Sequence, residues 1–333
     1  MPRQMVGQDD PDVACAPNHH AVIASRPVFF IVGAGRSGTT WLQTLLSQDP
    51  AIATAPETKL FGGYLHLLQR RWHRETSWRS LYGDKTGIQK LVSEVEFEAL
   101  MQHFAHAVLQ RILETKPEAK YVLEKTPSHV HHAALISRVL PNSYFIHIIR
   151  DPRSVCKSLV EAGRGWGEYW APEGPIDAAK EWRRSVEKGW EIDEMSGRYL
   201  EVRYEDLLTD PVVSLQRVLA WMGITVSDEH CATYVSNCSA AQLRRNDSAV
   251  SALLPTGQTG AFVRDKPAVD WAETLPRSWI RSIEWVAGEA LVRAGYEPML
   301  APKRKPLRVW AKEQLERIEW RISATISGLA RRL

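Results

Sequence analysis

Cysteine is scarce in this chain. Only Cys15, Cys156, Cys231 and Cys238 occur in 333 residues, and none has CxxC or zinc-ligand spacing. That excludes a disulfide-stapled secreted scaffold and a cysteine-ligated zinc module. The cysteines read as reduced thiols, with a Cys231–Cys238 pairing left open. No apolar run approaches the ~20 residues that a membrane-spanning helix needs, and the polar opening is no signal peptide. Charge of one sign is also lacking. Lys and Arg number 42 and Asp and Glu 39, a formal net charge of +3, which by itself says nothing about nucleic acid, and no nucleic-acid partner is expected. No internal repeat is present. The composition is globular, with 44% hydrophobic residues. The length allows one large domain or two small ones. Thirteen tryptophans are many for this length and suit a core with some aromatic pocket lining.

Two further absences lie inside motifs. Phe29 to Val32 is an apolar run that breaks into Gly33-Ala34-Gly35-Arg36-Ser37-Gly38 and then into a helix opening with Thr39-Thr40. Strand, glycine-rich turn and helix N-terminus together make a phosphate cradle. Gly33 and Gly38 have Walker A spacing, but Thr39 stands where that motif has lysine. The cradle's one cation is Arg36, and Gly35, Ser37, Gly38, Thr39 and Thr40 complete it. The second absence follows the strand Ser143 to Ile149. A nucleotide triphosphatase usually ends a strand of this kind in an acidic magnesium residue. Here the strand ends in Arg150, and Ser158 follows eight residues later on the next helix. Arg150 and Ser158 suit one further anion; read alone, Arg150 also suits a carboxylate at the strand end.

The rest of the chain supplies strands alternating with helices. The spacing predicts strands at Val28–Val32, Lys120–Glu124, Ser143–Ile149 and Tyr199–Val202. It predicts helices at Thr39–Ser47, Val95–Glu114, His129–Leu140, Pro152–Ala162, Ala178–Met195, Pro211–Met222 and 277–294. Ala51–Leu60 reads as an extended connection, 64–82 as Arg/Trp-rich helix with loops, Gly163–Pro175 as a loop, and 240–275 as irregular. This is an α/β fold, a P-loop-like parallel sheet flanked by helices. One domain is expected at 27–300, with a loose arm at 1–26 and a helical tail at 301–333. The tail carries nine Lys/Arg and three Glu, a net +6, so the remainder is −3. Its Ala311, Leu315, Ile318, Ile322, Ile326 and Leu329 share one helix face. That face suits a membrane surface, a second copy, or the body of the protein itself.

Together, Arg36-Ser37-Gly38-Thr39-Thr40 and Arg150 with Ser158 resemble the 5′-phosphosulfate loop and 3′-phosphate site of sulfotransferases. The match is to the tyrosylprotein and heparan-type branches and their bacterial relatives. Pro56-Glu57-Thr58-Lys59 is similar to their acidic catalytic segment, and Glu124-Lys125-Thr126-Pro127 to the segment with the catalytic lysine. Val202-Arg203-Tyr204-Glu205-Asp206-Leu207 resembles a further family marker and brings Tyr204 into the nucleotide set. The resemblance covers about residues 27–296 and implies 3′-phosphoadenosine 5′-phosphosulfate (PAPS) as co-substrate, without metal. It implies sulfuryl transfer to a hydroxyl, with Glu57 as base and with Lys125 and Arg36 stabilising the leaving phosphate. His129 is the rival base, because some branches use a histidine. The Arg-Lys-Gly segment that closes over the nucleotide in cytosolic relatives is missing, and Lys266 is the candidate substitute. Golgi members carry an N-terminal membrane anchor. No such segment opens this sequence, so a cytoplasmic location is expected, with a peripheral membrane position open through the tail. The rival functions are a small-molecule kinase with Glu124 serving magnesium, and a non-catalytic nucleotide-binding protein. The acceptor is not specified; Trp166, Tyr169 and Trp170 and the 64–82 stretch are where its pocket is expected.

Overall fold

The strand Val28–Gly33 (β1) contains no polar side chain and is buried along its whole length. A strand that is apolar on both faces belongs inside a parallel sheet covered on both sides. The structure, a computed structural model, describes residues 26–82, 87–239, 253, 271–316 and 318. It places β1 at the centre of five parallel strands: β2 (Ile52–Thr54), β3 (Tyr121–Lys125), β4 (Ser143–Ile149) and β5 (Tyr199–Arg203), in the order β2-β3-β1-β4-β5. Alternate β1 residues serve opposite cores. Phe30 and Val32 pack with Phe61, Phe97 and Met101, whereas Phe29 and Ile31 pack with Leu42, Leu45 and Leu215. The period of two assigns each side chain to one helical layer.

The helices are α1 (Thr39–Leu46), α2 (His66–Tyr82), α3 (Glu94–Glu114), α4 (Ala133–Val139), α5 (Pro152–Gly163) and α6 (Pro175–Ser196). They continue as α7 (Tyr204–Thr209), α8 (Pro211–Trp221), α9 (Asp228–Asn237), α10 (Trp271–Thr274) and α11 (Arg277–Arg293). Several boundaries differ from the sequence reading, each for a local reason. The 51–60 connection holds a short strand, β2, because Ile52–Thr54 pair with Tyr121–Leu123. The strand expected at Lys120–Glu124 lies one residue later, since Lys125 extends the ladder opposite Ile31. The helix expected from His129 begins as a 3₁₀ turn over Pro127–His132, with α4 following it. Leu60–Leu65 forms a π turn that runs directly into α2. Cys156, Cys231 and Cys238 are buried free thiols, so the open Cys231–Cys238 pairing is not formed.

No helix among the described residues is long and apolar enough to cross a membrane. Residues 307–316 are helical and dock on α6 through Lys312–Asp177 (3.1 Å), Lys180–Glu316 (2.6 Å) and the buried Val309. Leu315 and Ile318, from the expected apolar face, are 58% and 53% exposed. The arm at 1–25 and residues 317 and 319–333 of the tail lie outside the described residues.

Two histidines give the fold a pH signature. Burial lowers the His147 pKa to about 3. Burial, then the neighbouring His66, His129 and His131 rings, lower that of His132 to about 4. Both groups bind protons more readily in the unfolded chain, where the ordinary value is about 6.5. Stability should therefore be full above that value and fall as pH drops from about 6.5 through about 4 for His132 and about 3 for His147. Denaturant midpoints for the wild type and His147→Phe across that range test this; identical pH profiles would remove His147 from the account.

Candidate active site

The phosphate cradle forms where β1 ends at the centre of the sheet, and ligands of such sheets bind at the carboxyl ends of the strands. Gly38, at φ 95°, is the N-cap of α1. A Cβ there would overlap the Tyr204 ring, so both backbone and packing require glycine. Arg36 is also left-handed, at φ 71°, a strained state for a residue with a side chain. Gly35 has open space on its Cβ side, with only Leu159 at 3.8 Å. Thr39 is buried, Thr40 half-buried, and Ser37 fully buried.

Arg150 follows β4, two residues beyond the Ile148 that pairs with Gly33. Three contacts fix it. Its Nη1 donates to the Arg36 carbonyl (3.2 Å), its guanidinium lies 4.2 Å from the Tyr204 ring centroid, and its own carbonyl accepts from Trp182 Nε1 (2.8 Å). Ser158, six residues into α5, accepts from Arg36 Nε at 3.0 Å. The structure therefore gathers Arg36, Arg150, Ser158 and Tyr204 into one cluster. Arg36 lies on Ser158 and within 5.5 Å of the Trp166 ring, which links the two anion sites that the sequence reading kept apart. Among the described residues, Ser37 Oγ and Arg150 Nε are buried without a hydrogen-bond partner. A buried polar atom without a partner costs free energy. A hydroxyl and a guanidinium N–H left open beside a backbone cradle fit the phosphate oxygens of a nucleotide. Lys266 lies outside the described residues.

The second half of the site lies across β1, on β3. Lys125, opposite Ile31, ends that strand. Its side chain is 3% exposed and its Nζ donates to Glu57 Oε1 at 2.7 Å. Glu57 is 37% exposed, so one partner is sealed in the protein and the other faces solvent. These residues are 68 apart in sequence, and the β2-β3-β1 pairing brings them together.

His129 has a different setting. It is fully buried, its Nε2 accepts the Phe61 N–H (3.2 Å), and its Nδ1 donates to Glu124 Oε2 (2.9 Å). A base must reach the proton it removes, and both ring nitrogens of His129, the rival base, already have partners within the protein. Glu124 is equally buried. Burial alone would raise its pKa; the His129 ring and the Thr126 and Thr58 hydroxyls outweigh that and hold it below the ordinary carboxylate value. With its oxygens committed in this way, Glu124 is not placed as a magnesium ligand either.

The sequence reading missed Trp182 and Arg153. Trp182 anchors the Arg150 backbone from α6. Arg153, three residues along from Arg150, sits in a buried cluster with Asp151 and Glu284. The high tryptophan count was the only sequence signal for the first, and the Asp151-Pro152 helix start for the second.

Comparison with known proteins supplies the family. The model of a family described as the sulfotransferase family matches residues 27–228. A protein-tyrosine sulfotransferase 2 from Gallus gallus is 24% identical over 286 residues, covering 83% of this chain and 71% of the relative. A protein-tyrosine sulfotransferase 1 from Danio rerio is 23% identical over 284 residues, covering 83% and 74%. Among solved structures, a mouse sulfotransferase complexed with PAP superposes with a TM-score of 0.50 at 16% identity, covering 83% of this chain and 90% of that one, a likeness of fold. The cradle, the cation pair behind it and the family match across most of the sheet lead to one conclusion: the chain belongs to the sulfotransferase family and is a PAPS-dependent sulfotransferase.

Proposed function

We propose that the protein moves a sulfuryl group from PAPS to a hydroxyl, with Glu57 as the base on the acceptor and Lys125 at the leaving phosphate oxygen. The observation that carries this is the 2.7 Å contact between Lys125 Nζ and Glu57 Oε1 at the carboxyl edge of the sheet, beside the cradle. Sulfuryl transfer, like phosphoryl transfer, gains most from positioning and from cations aimed at developing charge. A buried ammonium can supply that charge, and a half-exposed carboxylate can take a proton at the site mouth. Arg36, Arg150 and Ser158 are proposed to hold the 3′-phosphate end, and Ser37, Gly38, Thr39 and Thr40 the 5′ end. Arg36 reaches toward both ends, since its backbone lies in the cradle and its side chain on Ser158. The first acceptor to test is a tyrosine hydroxyl, the group in the names of the relatives above. Trp166 and Trp170, with ring centroids 5.2 Å apart, form an aromatic wall near Arg36.

Calorimetry with PAP tests the donor assignment. Arg150→Ala should weaken PAP binding by about 1.5–3 kcal/mol, the range for hydrogen bonds to charged groups. ATP, which lacks a 3′-phosphate, should respond far less, and EDTA should leave PAP binding unchanged. A strict magnesium requirement would overturn the donor assignment.

For the tail, the exposure of Leu315 and Ile318 supports a surface role beyond packing on α6. Each basic residue at an anionic leaflet contributes about 1 kcal/mol. Truncation after Met299 should abolish salt-sensitive binding to anionic vesicles and leave PAP affinity intact. Loss of mass in light scattering would point to a second copy instead. Earlier melting alone would reduce the tail to packing.

A further inference from the structure

Four consecutive backbone amides follow Glu57, and all four are captured by one set of side chains. Thr58 N–H donates to Glu124 Oε1 (3.3 Å) and Lys59 N–H to Thr126 Oγ1 (3.3 Å). Leu60 N–H donates to Thr58 Oγ1 (3.1 Å) and Phe61 N–H to His129 Nε2 (3.2 Å). The three side chains that accept from Lys59, Leu60 and Phe61 in turn donate to one carboxylate. Thr58 Oγ1 (2.8 Å) and Thr126 Oγ1 (2.6 Å) reach Glu124 Oε1, and His129 Nδ1 (2.9 Å) reaches Glu124 Oε2. The captured amides are those at and just before the start of the Leu60–Leu65 π turn, whose N-cap residue, Lys59, supplies no side-chain cap. The entry residue Lys59 is held left-handed, at φ 51°. A non-glycine residue in that state persists only where its surroundings over-determine it.

We propose that Glu124 is a positioning residue: a buried anionic hub that fixes the Glu57 turn against Lys125. It rests on the reading of Glu57 and Lys125 as the reacting pair. Glu124 is the chain neighbour of Lys125, so one side chain and its partners set both halves of that pair. The hub also fixes the histidine tautomer. The Phe61 amide can only donate, so His129 Nε2 accepts and the ring proton sits on Nδ1, facing Glu124. A neutral amide in place of Glu124 has one acceptor oxygen where the site has donors facing both, so a donor would meet a donor.

Thr126 gives the mildest test, because its hydroxyl links the Lys59 amide to the hub and valine has nearly its shape. Thr126→Val should speed hydrogen exchange of amides 58–61 by about tenfold or more, while β3 and α1 amides keep their protection. PAP affinity should stay within about twofold, and PAP formation from PAPS should fall about tenfold. Thr126→Ser, which restores the hydroxyl, should recover both readouts. Glu124→Gln should give the same pattern more strongly where it folds. Unchanged exchange of amides 58–61 in Thr126→Val would overturn the hub, and so would a Thr126→Ser variant that fails to recover. If Glu57→Gln keeps full turnover while exchange responds as expected, the base assignment fails and the hub's control of the turn stands.

Discussion

Glu57→Gln is expected to lower the rate of PAP formation from PAPS by at least about 10²-fold, with PAP affinity nearly unchanged. The amide keeps the shape of the side chain and its contact to Lys125, but it cannot take a proton. Lys125→Ala should cost a similar factor for a different reason. It removes the one buried cation on β3 and leaves Glu57, already 37% exposed, free to hydrate. The two losses should not add, because the residues act on one transition state through one contact. Single-turnover measurements with a tyrosine-containing peptide separate the chemical step from release. Near-wild-type turnover in Glu57→Gln would remove the base assignment.

How much of this site could be read from the chain depends on how local each signal is. The cradle was legible because strand, glycines and helix start are contiguous, and Gly33 and Gly38 each answer a local backbone demand. Arg150 was legible because a cation ends a strand where magnesium chemistry would place an acid. The sheet itself followed from strands spaced by helices, and family membership agrees with the fold that was expected. Boundaries were lost where tertiary pairing overrides local preference, as in β2, which is only three residues long and exists because β3 lies beside it.

The Glu57–Lys125 contact was reachable only through the order of motifs in a family, since 68 residues separate the pair. The hub left a single trace in the sequence. Thr58, Glu124, Thr126 and His129 are ordinary residues in sequence, and only the packing of the π turn on the 3₁₀ turn unites them. One sign was present: Glu124 and Lys125 end a strand whose other residues are Tyr121, Val122 and Leu123. Two adjacent charges at the end of a buried strand need partners on both faces of the sheet. The sequence reading gave Glu124 a rival role with magnesium and His129 a rival role as base. Both have hydrogen-bond partners inside the protein.

The largest stability effect is expected at Arg153, on the helix α5 that also carries Ser158. Its Nε and Nη2 make a bidentate pair with Asp151 (2.9 and 2.8 Å), and its Nη1 donates to Glu284 (3.0 Å) and to the Glu297 carbonyl (3.0 Å). The Trp271 ring centroid lies 3.9 Å from the guanidinium. Asp151 also caps α5, and Glu284 accepts the amides of Met299, Leu300 and Ala301. Arg153 thus ties β4, α5, α11 and the chain entering the tail into one buried network. Arg153→Ala would leave two buried carboxylates without their cation, and breaking such a pair costs about 3–5 kcal/mol. Arg153→Lys should recover only part of that, because an ammonium cannot make the bidentate pair and reach Glu284 together. Removing a second charge discriminates between lost charge balance and lost volume. Glu284→Gln in the Arg153→Ala background should restore stability if uncompensated charge dominates, and lower it further if packing does. Urea midpoints for the two single variants and the double variant decide between these. An Arg153→Ala protein within about 1 kcal/mol of wild type would show that the network is solvated, with no more hold on the fold than a surface ion pair.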